Sequence, residues 1–184
     1  MKAKMLCYPI ILSLLTSCLP VVAASSVVVG STIADERSSG TVVDDAVILM
    51  RIKEDLLQTE FDELLAKVSV NVHEGRVMLT GSVTEQKYSS QAVDIAWKTK
   101  GTKEVIDEIV VSPKAFKDSA KDTYIANSVR GRLLVEKELK SVNYIVEVNN
   151  SIVYLLGVAQ DDDELKRALK IAGSMKGVRK VVNH

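Results

Sequence analysis

Histidines and cysteines, the commonest acid–base, nucleophilic and metal-binding side chains, are few and scattered in this chain. It has two histidines, His73 and His184, and two cysteines, Cys7 and Cys18. His73 falls in the turn-like stretch His73-Glu74-Gly75-Arg76 and His184 is the last residue, so neither reads as a positioned acid or base. Asp161-Asp162-Asp163-Glu164 gathers four acids without the alternating ligands and glycine of a calcium loop. Acids in such a run are expected to sit at the N-terminus of a helix, where its dipole favours them. The chain has no phosphate loop, zinc spacing or nucleophile elbow. It is expected to be non-enzymatic and to need neither cofactor nor metal.

Cys18 points to a different chemistry. Lys2 and Lys4 precede an apolar run from Met5 to Leu15, broken by Tyr8, Pro9 and Ser13. Residues 1–17 read as a secretory signal peptide, too short to span a bilayer as a helix. Leu15-Thr16-Ser17-Cys18 resembles the bacterial lipobox, in which the cysteine is acylated before cleavage. Cleavage after Ala24, at Val22-Ala23-Ala24, is the alternative. Cys7 leaves with the signal, so Cys18 would remain as a lone cysteine at the mature N-terminus. That suits a lipidated residue better than an unpaired thiol in an exported protein. Acyl chains such as palmitate, at about 0.8 kcal/mol per buried CH₂, hold a protein firmly to a membrane. By resemblance to bacterial sorting rules, Leu19 after the cysteine implies the outer membrane, on its periplasmic side.

Composition narrows the class further. Lys+Arg and Asp+Glu are 24 each and 47% of residues are hydrophobic, which suits folded domains. The charge balance excludes a strongly basic nucleic-acid binder, and 4% aromatics leave little for stacking bases.

The elements that position these residues come twice. Asp45, Ile48, Leu56 and Leu57 recur as Asp122, Ile125, Leu133 and Leu134. One residue is lost in the next loop. In the new register Val70, Val77, Leu79, Gly81, Ala92, Ala96 and Gly101 meet Val146, Val153, Leu155, Gly157, Ala168, Ala172 and Gly177. Paired glycines in one register make this an internal repeat. Residues 18–44 read as the acylated cysteine and a tether, 45–111 as the first domain, 112–121 as a linker and 122–184 as the second domain.

Each copy predicts the same order. Asp45 or Asp122 is expected to N-cap a helix. Ile48, Ile52 and Leu56, or Ile125, Val129 and Leu133, then line one helix face. Val68, Val70 and Val72, then Val77, Leu79 and Gly81, alternate as a hairpin, and Asn149-Asn150-Ser151 is the turn in the second copy. A second helix runs from about Glu85 to Lys100, with alanines against the sheet and Gly101 or Gly177 at a left-handed cap. A third strand follows at Glu104–Val111 or Arg179–Asn183. The fold class is α+β, two tandem α-β-β-α-β units, each a three-stranded mixed sheet covered by two helices. At roughly 60 residues such units have thin cores and are expected to rely on one another.

The stretches Asp45 to Leu56, Val77 to Gly81, Ala92 to Ala96 and Gly101 to Val105, with their counterparts in the second copy, resemble the BON domain. With the lipobox, the chain resembles the dual BON-domain outer-membrane lipoproteins. It departs from that pattern at Gly157-Val158-Ala159 and in its abrupt C-terminus. The resemblance implies a role in envelope integrity, with anionic phospholipid bound through the first helix of the second domain. The alternative is an adaptor whose domains bind an envelope protein, such as part of the outer-membrane assembly machinery, or a periplasmic stress protein; no oligomeric state is implied.

The residues can be set beside that implication. On a helical wheel the side opposite Ile125, Val129 and Leu133 carries Tyr124, Asn127, Gly131, Leu134 and Val135, flanked by Arg130 and Arg132. An apolar strip with a tyrosine and flanking arginines suits a headgroup layer. Packing against the first domain is the alternative use of such a strip. The matching face of the first copy carries Arg51, Glu54, Asp55, Leu57 and Gln58 and reads as solvated. Residues 45–111 hold 8 basic and 12 acidic residues, a net of −4, and residues 122–184 hold 10 and 8, a net of +2. The second copy is the one expected to meet an anionic surface.

Overall fold

The computed structural model describes residues 39–112 and 119–184. Each copy has the expected order. The first is α1 (Ser39–Thr59), a π-helical turn (Phe61–Leu65), β1 (Val68–His73), β2 (Arg76–Val83), α2 (Gln86–Lys98) and β3 (Glu104–Val111). The second is α3 (Ser119–Val135), a short 3₁₀ turn (Ser141–Asn143), β4 (Tyr144–Asn149), β5 (Ile152–Gly157), α4 (Asp162–Ser174) and β6 (Lys180–Asn183). Within each sheet the hairpin strands pair antiparallel and the strand after the second helix joins parallel, in the orders β1-β2-β3 and β4-β5-β6.

Spacing in the sequence explains which faces are buried. Ile48, Ile52 and Leu56 point from α1 onto the sheet, where Val70, Val72, Val77 and Leu79 receive them. Ile125, Val129 and Leu133 do the same over Val146, Val153 and Leu155. Ala92, Ala96, Ala168 and Ala172 are all fully buried, so α2 and α4 lie close on the strands, where a larger side chain would hold them off.

The repeated aspartates do not cap helices. α1 begins at Ser39 and α3 at Ser119, so Asp45 and Asp122 lie inside them, and both are buried. Asp45 reaches the β1–β2 turn, where its two carboxylate oxygens accept the N–H groups of Glu74 and Gly75, each at 2.8 Å. Asp122 accepts those of Asn150 and Ser151 at 2.7 and 2.8 Å. Both turns have two left-handed central residues, Glu74 and Gly75 at φ +55° and +79°, Asn150 and Ser151 at +51° and +61°. That is the two-residue turn whose twist matches a hairpin, and its central N–H groups aim inward. The carboxylate satisfies both of them.

His73 is also placed differently from expectation: it is the last residue of β1, before the turn, and is buried. Gly101 and Gly177 have left-handed φ of +103° and +95° but lie beyond the extended caps Thr99 and Met175. They therefore turn the chain into β3 and β6, and do not close the helices.

Gly81 and Gly157 answer a close approach of backbone. A Cβ on Gly81 would stand 2.1 Å from the carbonyl oxygen of Lys67, and one on Gly157 2.0 Å from that of Asn143. Gly81→Ala or Gly157→Ala is expected to cost about 1–3 kcal/mol by overpacking. The left-handed φ of +121° at Gly81 adds strain of similar size there. Urea unfolding midpoints measure both.

The two copies meet sheet to sheet. Met78 and Ile106 from the first and Tyr154 and Leu156 from the second form one buried cluster, with Ile145, Ile152 and Val182 around it. Burial pushes the Tyr154 phenol above its ordinary value, and the nearby Glu108 charge adds to this. Asn149 Nδ2 donates to the Gly81 carbonyl at 2.6 Å, and His184 Nε2 lies 2.9 Å from Glu108 Oε1 across the same junction. The helices consequently lie on the two outer sides, α1 and α2 on one and α3 and α4 on the other. Both sheets and all three buried clusters fall after residue 38, so a chain beginning at Leu19 retains them.

Candidate lipid-binding face

Because the sheets cover each other, α3 lies outside the junction, with only Asn71 of the first copy, among the described residues, beside it in the groove at Leu134. Its outer side is open. Tyr124 is 64% exposed, Leu134 72% and Val135 71%. Asn127, Gly131 and Arg132 are exposed beside them. At 1.5 Å per residue the strip from Tyr124 to Val135 is about 16 Å long. Val142, in the turn before β4, is also exposed and shares a shallow groove with Leu134. No periodicity marked Val142, since it belongs to a separate turn.

The two arginines of the strip behave differently. The Arg130 guanidinium donates to the Val146 carbonyl and lies 3.9 Å from Glu147, so it is turned back onto β4. Arg132 is exposed and makes no ion pair among the described residues. Asp122 is the only acid within α3, and its carboxylate is committed to the hairpin turn.

Gly131 has nothing within 4 Å of where a Cβ would stand. Folding gives it no reason to be glycine, and a glycine inside a helix costs about 1 kcal/mol relative to alanine. Gly131→Ala is therefore expected to stabilise the chain by about 0.5–1 kcal/mol. If the bare backbone there lets a surface come close, the same variant will bind vesicles less well. Thermal melting and vesicle flotation read the two signs separately.

The first copy's helix is less polar than its sequence implied. Arg51, Glu54, Asp55, Leu57 and Gln58 are exposed as expected. Val43, Val47 and Met50 are exposed beside them, at 61%, 38% and 70%. Val47 and Met50 are the repeat partners of Tyr124 and Asn127. What separates the two helices is charge: α1 carries Asp44, Glu54 and Asp55 among its exposed residues, whereas α3 has no exposed acid.

The remaining polar clusters serve the fold. Asp161 caps α4, accepting the Glu164 N–H at 2.7 Å, and buried Glu164 accepts the N–H groups of Lys140 and Gln160. These bonds give the acidic run its place at a helix start. Among the described residues no three His, Cys, Asp or Glu side chains gather to hold a metal, and no helix is long and apolar enough to cross a membrane. Cys18 lies outside the described residues.

Comparison with known proteins matches this arrangement. Residues 44–113 and 121–184 each match the BON domain. The chain is 35% identical over 144 residues to the "Uncharacterized protein in gshII 5'region" of Anaplasma centrale, covering 77% of this chain and 93% of that one. It is 27% identical over 169 residues to the outer membrane lipoprotein DolP of Haemophilus influenzae, covering 91% and 87%. It is 28% identical over 148 residues to the osmotically-inducible protein Y of Escherichia coli, covering 78% and 73%. The chain belongs to the BON-domain family and carries two BON domains in tandem.

Proposed function

We propose that this chain is a non-enzymatic envelope lipoprotein, anchored through Cys18, that binds anionic phospholipid through α3 and supports outer-membrane integrity. The observation that carries this is an outward helix face with Tyr124, Leu134 and Val135 exposed and no exposed acid. Similarity to an outer membrane lipoprotein over 91% of the chain supports the envelope setting.

Magnitudes assign a role to each contact. Fully burying a Leu or Val side chain contributes about 1.5–3 kcal/mol, so a strip of three side chains gives reversible attachment. Acylation at Cys18 would hold the protein at the membrane, and α3 would set how the folded body lies on it. The test is flotation of a chain beginning at Leu19 with phosphatidylcholine vesicles, with and without phosphatidylglycerol. Flotation only with the anionic lipid is expected; failure to float with either rejects the proposal. Mass spectrometry of the mature N-terminal peptide tests Cys18 separately.

A second reading has its own observation. Val43, Met50 and Leu57 recur every seven residues on α1 in an acidic setting and face away from α3. That strip favours a protein partner in the envelope, such as the assembly machinery, and both contacts could be made at once. Under this reading alone the chain from Leu19 stays down with every vesicle.

A further inference from the structure

The first copy has a groove where α1 passes the hairpin turn and the α2–β3 loop, lined by Asp44, Glu74, Arg51, Lys100 and Lys103 among others. Its charges are mixed. The repeat places Lys121, Asn150, Ser128, Lys176 and Arg179 at the same positions of the second copy. Asp44 and Glu74 are gone, the first replaced by a lysine, while the third acid, Asp45, remains as the buried Asp122.

The second-copy cations stand on neighbouring segments: the start of α3, the α4–β6 loop and the hairpin turn beside it. Lys121 lies across Gly177, its Cε 3.2 Å from where a Cβ on that glycine would stand, and Lys176 is the next residue along. Arg179 is held at the hairpin turn, its Nη1 3.3 Å from Asn150 Oδ1 and its backbone N–H on the Ser151 carbonyl at 2.8 Å. Lys121, Lys176 and Arg179 are exposed, and none makes an ion pair among the described residues. The nearest acid in sequence, Asp122, is buried with both oxygens on turn N–H groups. Like charges on neighbouring segments, with no ion-pair partner among the described residues, favour an anion between them.

We infer that Lys121, Lys176 and Arg179 form a phosphate-binding corner at the Tyr124 end of the α3 strip, which takes an anionic phospholipid headgroup while the strip enters the layer beneath it. This rests on the membrane reading above and adds to it where the preference for anionic lipid comes from. Arg130 is half exposed but bonded to β4, so this corner and Arg132 supply the cations without a protein partner among the described residues.

Two variants of the chain beginning at Leu19 test it. One is Lys121→Gln with Lys176→Gln and Arg179→Gln. The other is Lys121→Asp with Asn150→Glu, which copies the first domain's charges; Glu74 already occupies that backbone at nearly the φ of Asn150. Three basic residues at an anionic surface account for on the order of a hundredfold in affinity if each acts fully. With salt screening, the preference for phosphatidylglycerol over phosphatidylcholine vesicles is expected to fall at least roughly tenfold in both. Flotation with neutral vesicles is expected to stay absent, as in the parent chain. If either variant melts like the parent chain yet keeps its preference, the corner is not the headgroup site. In that case loss of binding by Tyr124→Glu would leave the membrane reading standing. Parent-like binding by Tyr124→Glu would remove that reading itself. Glycerol phosphate bound as tightly as vesicles would make the corner a site for free anions and overturn the assignment to lipid.

Discussion

Asp122→Asn is expected to destabilise the chain by about 1–3 kcal/mol, and Asp122→Ala by about 2–4 kcal/mol. The asparagine result separates two roles. At a helix N-cap, Asn and Asp are nearly equivalent, so a capping aspartate would tolerate the change. Here each carboxylate oxygen accepts one turn N–H. An amide keeps one acceptor and points its NH₂ at the second N–H, leaving a buried donor facing a donor. Alanine strands both. The same ordering is expected at Asp45, whose oxygens hold Glu74 and Gly75 in the same way. Chemical unfolding of the four single variants measures it, and an Asn variant as stable as the parent chain would show that the second carboxylate–turn bond contributes little.

Tyr124→Glu is expected to weaken binding to phosphatidylglycerol vesicles at least roughly tenfold, with stability changed by no more than about 0.5 kcal/mol. Stability should hold because Tyr124 is 64% exposed, and the hydrogen bond at this residue, from Ser128 Oγ, uses its backbone carbonyl. Binding should fall for two reasons that add. The ring no longer partitions into the interface, and a carboxylate meets a negatively charged surface. Val47→Glu, at the equivalent place in the first copy, is the control and is expected to float normally. Loss of flotation there and not at Tyr124 would move the membrane contact to α1.

Much of the fold was legible because its determinants are local or periodic. Ile48, Ile52 and Leu56 recur at helical spacing, and Val70, Val72, Val77 and Leu79 alternate, so helix, hairpin and core face follow directly. The role of Asp45 was not legible: an aspartate ahead of an apolar-periodic run looks like a cap, and its partners stand 29 and 30 residues away. The junction between the copies left a trace that periodicity alone underuses. Ile152, Val153, Tyr154, Leu155 and Leu156 are five consecutive apolar residues, which in a short strand means that both faces are covered. On α3 the wheel was readable, so the exposure of Tyr124, Leu134 and Val135 was legible. The place of Lys176 and Arg179 beside the start of α3 was not, because the loop before β6 is far along the chain. Which way Arg130 turns depends on a carbonyl of β4 that no helix pattern contains.

The sheet-to-sheet junction has a consequence for dissection. Cut apart, each half would bare an apolar sheet face, Met78 and Ile106 on one and Tyr154 and Leu156 on the other. An isolated half would therefore find a substitute in another molecule, and its assembly would depend on concentration. Joining the halves in one chain makes their pairing intramolecular. The repeat thus places two complementary apolar sheet faces in one chain, leaving each copy's outer helices free to diverge in charge.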